Sequence, residues 1–174
     1  MQLLSNAGFV FEAHPADIDE DAYARDLPPA KVAEYLATAK ATHVAWQHPE
    51  AVVLGADTVV VAPNGTLLGK PVDSGHARRM LSNLSGSTHA VITGVALKSP
   101  GVDRVGHVQT AVRMRALATD EIEAYVAGGQ WQGKAGGYGI QDNDPFVTAI
   151  EGSVSNVIGL PMEVVSQWLR EAVE

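Results

Sequence analysis

Apolar positions along this chain follow two periods, one helical and one of strands. Val32, Ala33, Leu36, Ala37 and Ala41 recur at helical spacing behind Pro28-Pro29. Proline is tolerated in a first helical turn, so a helix is expected from about Ala30, with Lys40 near its end. The Val-rich run over residues 51–62 reads as a buried strand, and Asn64-Gly65 supplies hairpin-turn chemistry after it. Asp73 is placed to cap a helix running to about Leu84, with Gly86 past its end. Strands are expected over 90–98 and 105–117, with turn chemistry at Pro100-Gly101-Val102-Asp103 between them. Thr119 is placed to cap a helix with Asp120 and Glu121 in its first turn, closed by Gly128-Gly129. A glycine-rich loop covers 133–139, a short strand 146–150, and Pro161 opens a last helix with Val164, Val165, Trp168 and Leu169 on one face. Near the start, Leu3, Leu4 and Ala7 form a short helical stripe ended by Gly8, Phe9-Val10-Phe11 reads as a strand, and 14–26 is polar loop. Strands and helices interleave, which predicts an α/β fold with a mixed sheet and flanking helices.

Composition narrows the function classes. The chain has 174 residues, 46% of them apolar and 18% charged, as expected of a globular domain. It has no cysteine, which excludes a disulfide framework and a thiolate metal site. The net charge of −8 disfavours a nucleic-acid partner, which calls for a basic face. No signal-peptide pattern and no membrane-length apolar run are read from the sequence, so a cytoplasmic protein without a membrane partner is expected.

The common phosphate-loop, zinc-protease and nucleophile-elbow motifs are missing. One residue stands out on physical grounds. Asp57 lies inside the run Val52-Val53-Leu54-Gly55-Ala56-Asp57-Thr58-Val59-Val60-Val61, where burial of a carboxylate is costly unless it is paired or metal-bound. Either Asp57 turns to water from an edge strand, or it holds a metal or activates a water. The chain has five lysines: Lys31, Lys40, Lys70, Lys98 and Lys134. Taken singly, Lys40, Lys70 and Lys134 are most simply solvated side chains.

Together these residues carry a resemblance. Leu36-Ala37-Thr38-Ala39-Lys40-Ala41, Gly55-Ala56-Asp57-Thr58-Val59-Val60, Leu68-Gly69-Lys70-Pro71, Leu84-Ser85-Gly86-Ser87-Thr88-His89 with Thr93-Gly94-Val95, Lys134-Ala135-Gly136-Gly137-Tyr138-Gly139-Ile140-Gln141, and Gly152-Ser153 with Asn156-Val157 and Gly159-Leu160-Pro161 follow one another in order. This set resembles the Maf family of nucleoside triphosphate pyrophosphatases.

The resemblance implies one Maf-like domain over 1–174, a two-lobed architecture with a central cleft, and hydrolysis of dTTP or UTP to the monophosphate and pyrophosphate. It implies Asp57 as catalytic base, with Lys40, Lys70 and Lys134 on the triphosphate and Thr58 and Gln141 toward the base. A Gln amide both donates and accepts, which suits the edge of uracil or thymine. It further implies a Mg²⁺ or Mn²⁺ cofactor at Asp57 and Glu20, a nucleoside triphosphate partner and a homodimer. His89 and Tyr138 are read as packing residues. The family pattern opens with a strand and S-x-S-x-x-R ahead of the Leu3–Ala7 helix; this sequence starts after them. A misassigned start, a shortened chain and a degenerate protein are the accounts left open. A weakly catalytic nucleotide-binding regulator linked to septum formation, a 7-methyl-GTP-type pyrophosphatase and a poorly folding fragment are the alternative readings.

Overall fold

The computed structural model describes residues 2–20, 26–140 and 146–173. In chain order the elements are α1 (Gln2–Asn6), α2 (Pro29–Gln47), β1 (Val53–Val61), β2 (Leu67–Leu68), α3 (Ser74–Leu84), β3 (Thr88–Ser99), β4 (Val102–Met114), α4 (Thr119–Ala127), a 3₁₀ turn at Ala135–Gly137, β5 (Val147–Glu151), α5 (Val154–Ile158) and α6 (Met162–Val173). The five strands form one sheet in the order β2-β1-β3-β4-β5. The β1–β2 and β4–β5 pairs are antiparallel, in register Val60↔Leu68 and Val112↔Ile150. The α/β class and the flanking helices are as expected from the sequence. The chain divides into two compact units, Met1–Asp57 with Thr93–Val108 and Gly159–Glu174, and Thr58–Ile92 with Gln109–Ile158.

In the first unit α2 lies unusually close to the strands. A Cβ built on Gly55 would stand 2.4 Å from the Ala37 carbonyl oxygen, and one built on Gly94 would stand 2.2 Å from that of Ala33. Real Cβ atoms do not approach backbone so closely, so only glycine fits at either place. The helix meets them with a matching stripe of small residues, Ala33, Ala37 and Ala41, one turn apart and fully buried. Ala37, Ala41, Val53 and Ala96 form the local core. On β4 alternation sends neighbouring side chains to opposite faces. His107 reaches back to Glu34 of α2 at 2.7 Å, while Gly106 accepts the Trp168 ring of α6 at 3.3 Å from where its Cβ would stand.

The second unit has its own core, in which Leu81 and Leu84 of α3 pack with Val91, Val112, Met114, Tyr125 and Phe146. A polar hub is buried within it. Asn156 is fully buried, and its amide nitrogen donates to the Val91 carbonyl and the Thr110 hydroxyl, each at 3.0 Å. Ser153 accepts the Asn156 N–H through Oγ at 3.1 Å, the standard first-turn cap of a helix. His89 is buried and its Nε2 lies 2.5 Å from the Tyr138 hydroxyl, the rings edge to face. Both side chains pack, as the sequence indicates. Burial pushes the His89 pKa down to about 4, because the charged imidazolium loses its hydration.

Two expectations are corrected, and one element goes beyond them. Residues 9–11 form no strand; the Phe9 N–H donates to the Leu4 carbonyl at the end of α1 at 3.1 Å, and Val10 is fully exposed, so three consecutive apolar residues do not suffice to make a strand. Thr119 is the first helical residue of α4 rather than its cap. The cap position is Ala118, whose N–H donates to the Glu121 carboxylate at 2.9 Å. The helix α5 was not anticipated, since five residues give little periodicity.

Gly94→Ala is expected to destabilise the protein by about 3 kcal/mol, the upper range for overpacking, because the clash is with backbone. Urea unfolding measures it, and a loss below about 0.5 kcal/mol would show that α2 is not seated as described. His89 gives a pH prediction. Its folded pKa lies below the unfolded value of 6.5, so its contribution is intact above pH 6.5 and is lost as pH falls from 6.5 toward about 4. The loss relative to His89→Gln should reach about 3 kcal/mol across that window. Parallel pH dependence of the two proteins would contradict it.

Candidate active site

β1 brings Asp57 to its place through simple strand geometry. Gly55 and Asp57 are two residues apart, so their Cα substituents share one face of the strand. Gly55 faces α2, and therefore Asp57 does too. On the helix, Lys40 precedes Ala41 and follows Leu36 by one turn, which sets it at the border of the alanine stripe that rests on Gly55. The result is a close ion pair: Lys40 Nζ lies 2.5 Å from Asp57 Oδ1. Of the Asp57 side chain only 10% is exposed. The cost that the sequence places on a carboxylate in this run is offset by an ammonium rather than by water.

A second carboxylate joins the pair. Glu20 Oε1 lies 2.7 Å from the same Lys40 Nζ. Burial alone would lower the Lys40 pKa, but hydrogen bonds and charge from Asp57 and Glu20 outweigh it and hold the ammonium above the ordinary lysine value. Lys40 is thus a cation throughout the physiological range. Two carboxylate oxygens thus converge on one cationic atom, which fills the point between them. Among the described residues no group of three or more acidic or histidine side chains is gathered.

The remaining predicted residues fall in the second unit. Thr58 follows Asp57 on β1 and is half-buried. Lys70 is exposed in the turn after β2. Lys134 enters the glycine-rich loop half-buried, and its stem fills the space where Gly139 has no side chain, with Cδ 3.0 Å from the position of a Gly139 Cβ. The two lysine segments are tied together, since the Gly136 N–H donates to the Gly69 carbonyl at 3.0 Å. Gly136 adopts φ +70° with Val60 3.1 Å from its missing Cβ, so this turn also requires glycine. Gln141 lies outside the described residues.

The structure therefore gathers Lys40, Asp57 and Glu20 in one place, and it joins the Lys70 turn to the Lys134 loop in another. It also holds a hollow of about 700 Å³ within the first unit, lined mainly by apolar side chains such as Phe9, Phe11 and Leu169, with the His14 and His48 rings 4.5 Å apart and tilted by 47°. Among the described residues, none of the predicted site residues lines it. Sequence reasoning did not foresee Asn156 as the buried hub beneath the G-S-x-x-N segment. The signal was present: a serine three residues before an asparagine is helix-cap spacing.

Comparison with known proteins adds to this geometry. Residues 1–172 match the family described as Maf-like protein. The chain is 50% identical to a protein of Moorella thermoacetica named dTTP/UTP pyrophosphatase, over 97% of this chain and 87% of the relative. Relatives of the same name from Salinibacter ruber and Symbiobacterium thermophilum are 46% and 42% identical, over 97% and 98% of this chain and 83% and 87% of their own lengths. Six ordered motifs, the Lys40–Asp57 pairing and a family match over nearly the whole length lead to one statement: this chain belongs to the Maf-like protein family.

Proposed function

We propose that this protein is a nucleoside triphosphate pyrophosphatase that hydrolyses dTTP and UTP to the monophosphate and pyrophosphate. The observation that carries the reading is the convergence of Asp57 and Glu20 on Lys40, in a chain whose relatives bear the name dTTP/UTP pyrophosphatase. Hydrolysis at the α-phosphorus needs a base to take a proton from water, cations on the phosphates and a place for developing charge.

In this reading the Asp57 carboxylate accepts the proton of the attacking water. The water oxygen bonds to the α-phosphorus, the bridge to the β-phosphorus breaks, and pyrophosphate leaves. Lys40, Lys70 and Lys134 offset the phosphate charge. Lys134 and Lys70 suit this role because the segments that carry them are tied to each other by a backbone hydrogen bond. Thr58 and Gln141 contact the pyrimidine. A divalent cation held by Glu20 and Asp57 would supply charge neutralisation at the phosphates. A homodimer is the proposed assembly and the cytoplasm the proposed location. Among the described residues no helix is long and apolar enough to cross a membrane.

Pyrophosphate release from dTTP, UTP, CTP, GTP and 7-methyl-GTP, with Mg²⁺ or Mn²⁺ added, tests the proposal. Turnover of dTTP and UTP is expected, lost on chelation of the metal. Asp57→Asn should lower kcat by about 10²–10⁴-fold, the usual yield of a positioned general base. Lys70→Ala should raise KM about tenfold, equivalent to one charge-assisted contact of about 1.4 kcal/mol. Preference for 7-methyl-GTP, or no turnover of any of these nucleotides, would overturn the assignment.

A further inference from the structure

Three glycines in the loop after α4 have a backbone reason to be there. Gly133, Gly136 and Gly137 hold φ of +72°, +70° and +76°, the left-handed region that side chains disfavour. Gly139 has no such φ. What it provides is room. A Cβ built on Gly139 would stand 3.0 Å from Cδ, 3.1 Å from Cε and 3.3 Å from Nζ of Lys134. The outer half of the Lys134 side chain, its ammonium included, thus lies over the bare backbone of Gly139.

The backbone on both sides of this contact is anchored. The Lys134 N–H donates to the Trp131 carbonyl at 3.3 Å, and the Lys134 carbonyl accepts the Gly137 N–H at 3.0 Å, which folds the loop back on itself. The Gly136 N–H ties the same loop to Gly69. Tyr138, the neighbour of Gly139, is buried, and its hydroxyl lies 2.5 Å from His89 Nε2 on β3. A side chain added at 139 therefore meets a backbone that is held in place and a lysine on a flexible stem. The lysine is what gives way.

We propose that Gly139 is a positioning residue for the substrate: its bare backbone seats the Lys134 side chain where the ammonium meets the nucleotide phosphates, and a side chain at 139 unseats it. The inference rests on the reading of Lys134 as a phosphate-binding residue given above. Its physical basis is order. A free lysine stem samples many rotamers, and a phosphate contact must then fix them all. A seated stem has lost that freedom before the nucleotide arrives. Gly139→Ala asks the lysine for a small shift only, whereas Gly139→Val sets two further methyl groups into the seat.

The test compares Gly139→Val, Gly139→Ala, Lys134→Ala and the double variant Gly139→Val with Lys134→Ala, in pyrophosphate release from dTTP. Circular dichroism and melting establish that each is folded. Lys134→Ala and Gly139→Val should each raise KM about tenfold, the loss of one charge-assisted contact, with Gly139→Ala in between. The double variant should be no worse than Lys134→Ala, because the glycine acts through the lysine. A substitution that merely damages the loop would add its effect to that of Lys134→Ala and so overturn the proposal. If Gly139→Val does not fold, Gly139→Ala carries the same comparison at about threefold amplitude. Trace acetylation with acetic anhydride, read by mass spectrometry, reports the seat without any nucleotide. Lys134 should label faster in the Gly139 variants than in wild type, measured against Lys31 in the same molecule. Unchanged labelling overturns the proposal, as does a wild-type KM in Gly139→Val beside a raised one in Lys134→Ala; both outcomes leave the enzyme reading intact. Absence of turnover in wild type sinks the enzyme reading, and the labelling still decides the seat.

Discussion

The seating of one helix on two glycines is the constraint on which the candidate site depends. Ala33, Ala37 and Ala41 give α2 a face with almost no relief, and Gly55 and Gly94 remove the corresponding relief from the strands beneath it. Close approach of this kind fixes the helix in translation as well as in rotation, since any sideways slip drives a methyl into backbone. Lys40 and Asp57 are 17 residues apart in sequence and sit on different elements, yet their separation is set by that contact. The ion pair follows from the packing, while the packing does not need the ion pair.

Charge then decides what the place can do. A carboxylate in an apolar strand is expensive, and an ammonium in a helix that faces it is expensive as well; together they are tolerable. Such pairs contribute little net stability, so their presence in a packed region points toward chemistry rather than toward folding. The addition of Glu20 leaves this cluster with two negative charges and one positive. The excess of negative charge around this shared point holds Lys40 as an ammonium between the two carboxylates.

Much of this was legible in the sequence. The alanine stripe, the proline start of α2, the Val-rich β1 and the caps at Asp73 and Gly86 all state their structure through spacing and turn chemistry. The cost of burying Asp57 flagged it before any family resemblance was invoked. What the sequence did not state was the partner. Reading Gly55 and Asp57 as same-face neighbours, and Lys40 as the border of the alanine stripe, would have been enough to bring the two charges together. Glu20 was beyond such reasoning, because it lies in an irregular segment with no period to place it. Phe9-Val10-Phe11 misled for the opposite reason: its pattern is that of a strand, but strand formation depends on an edge to pair with, and pattern alone says nothing of that.

The second unit makes the same point with polar groups. Asn156 spends its amide on Val91 and Thr110, and Thr110 in turn accepts the Ser153 N–H at 3.1 Å. These links bind the segment Gly152–Asn156 to β3 and β4 without any apolar burial of its own. Gly152, with φ +132° and Thr110 Oγ1 3.0 Å from its missing Cβ, allows the approach. A buried network of this type is stabilising only when complete, since each member left unpaired costs about as much as several good contacts return. That is a physical reason for glycine, serine and asparagine to occur together at this spacing: they form one structural unit, and changing one residue strands the others. In both units, glycines set how closely two segments meet, and polar or charged groups are then matched across the contact that results.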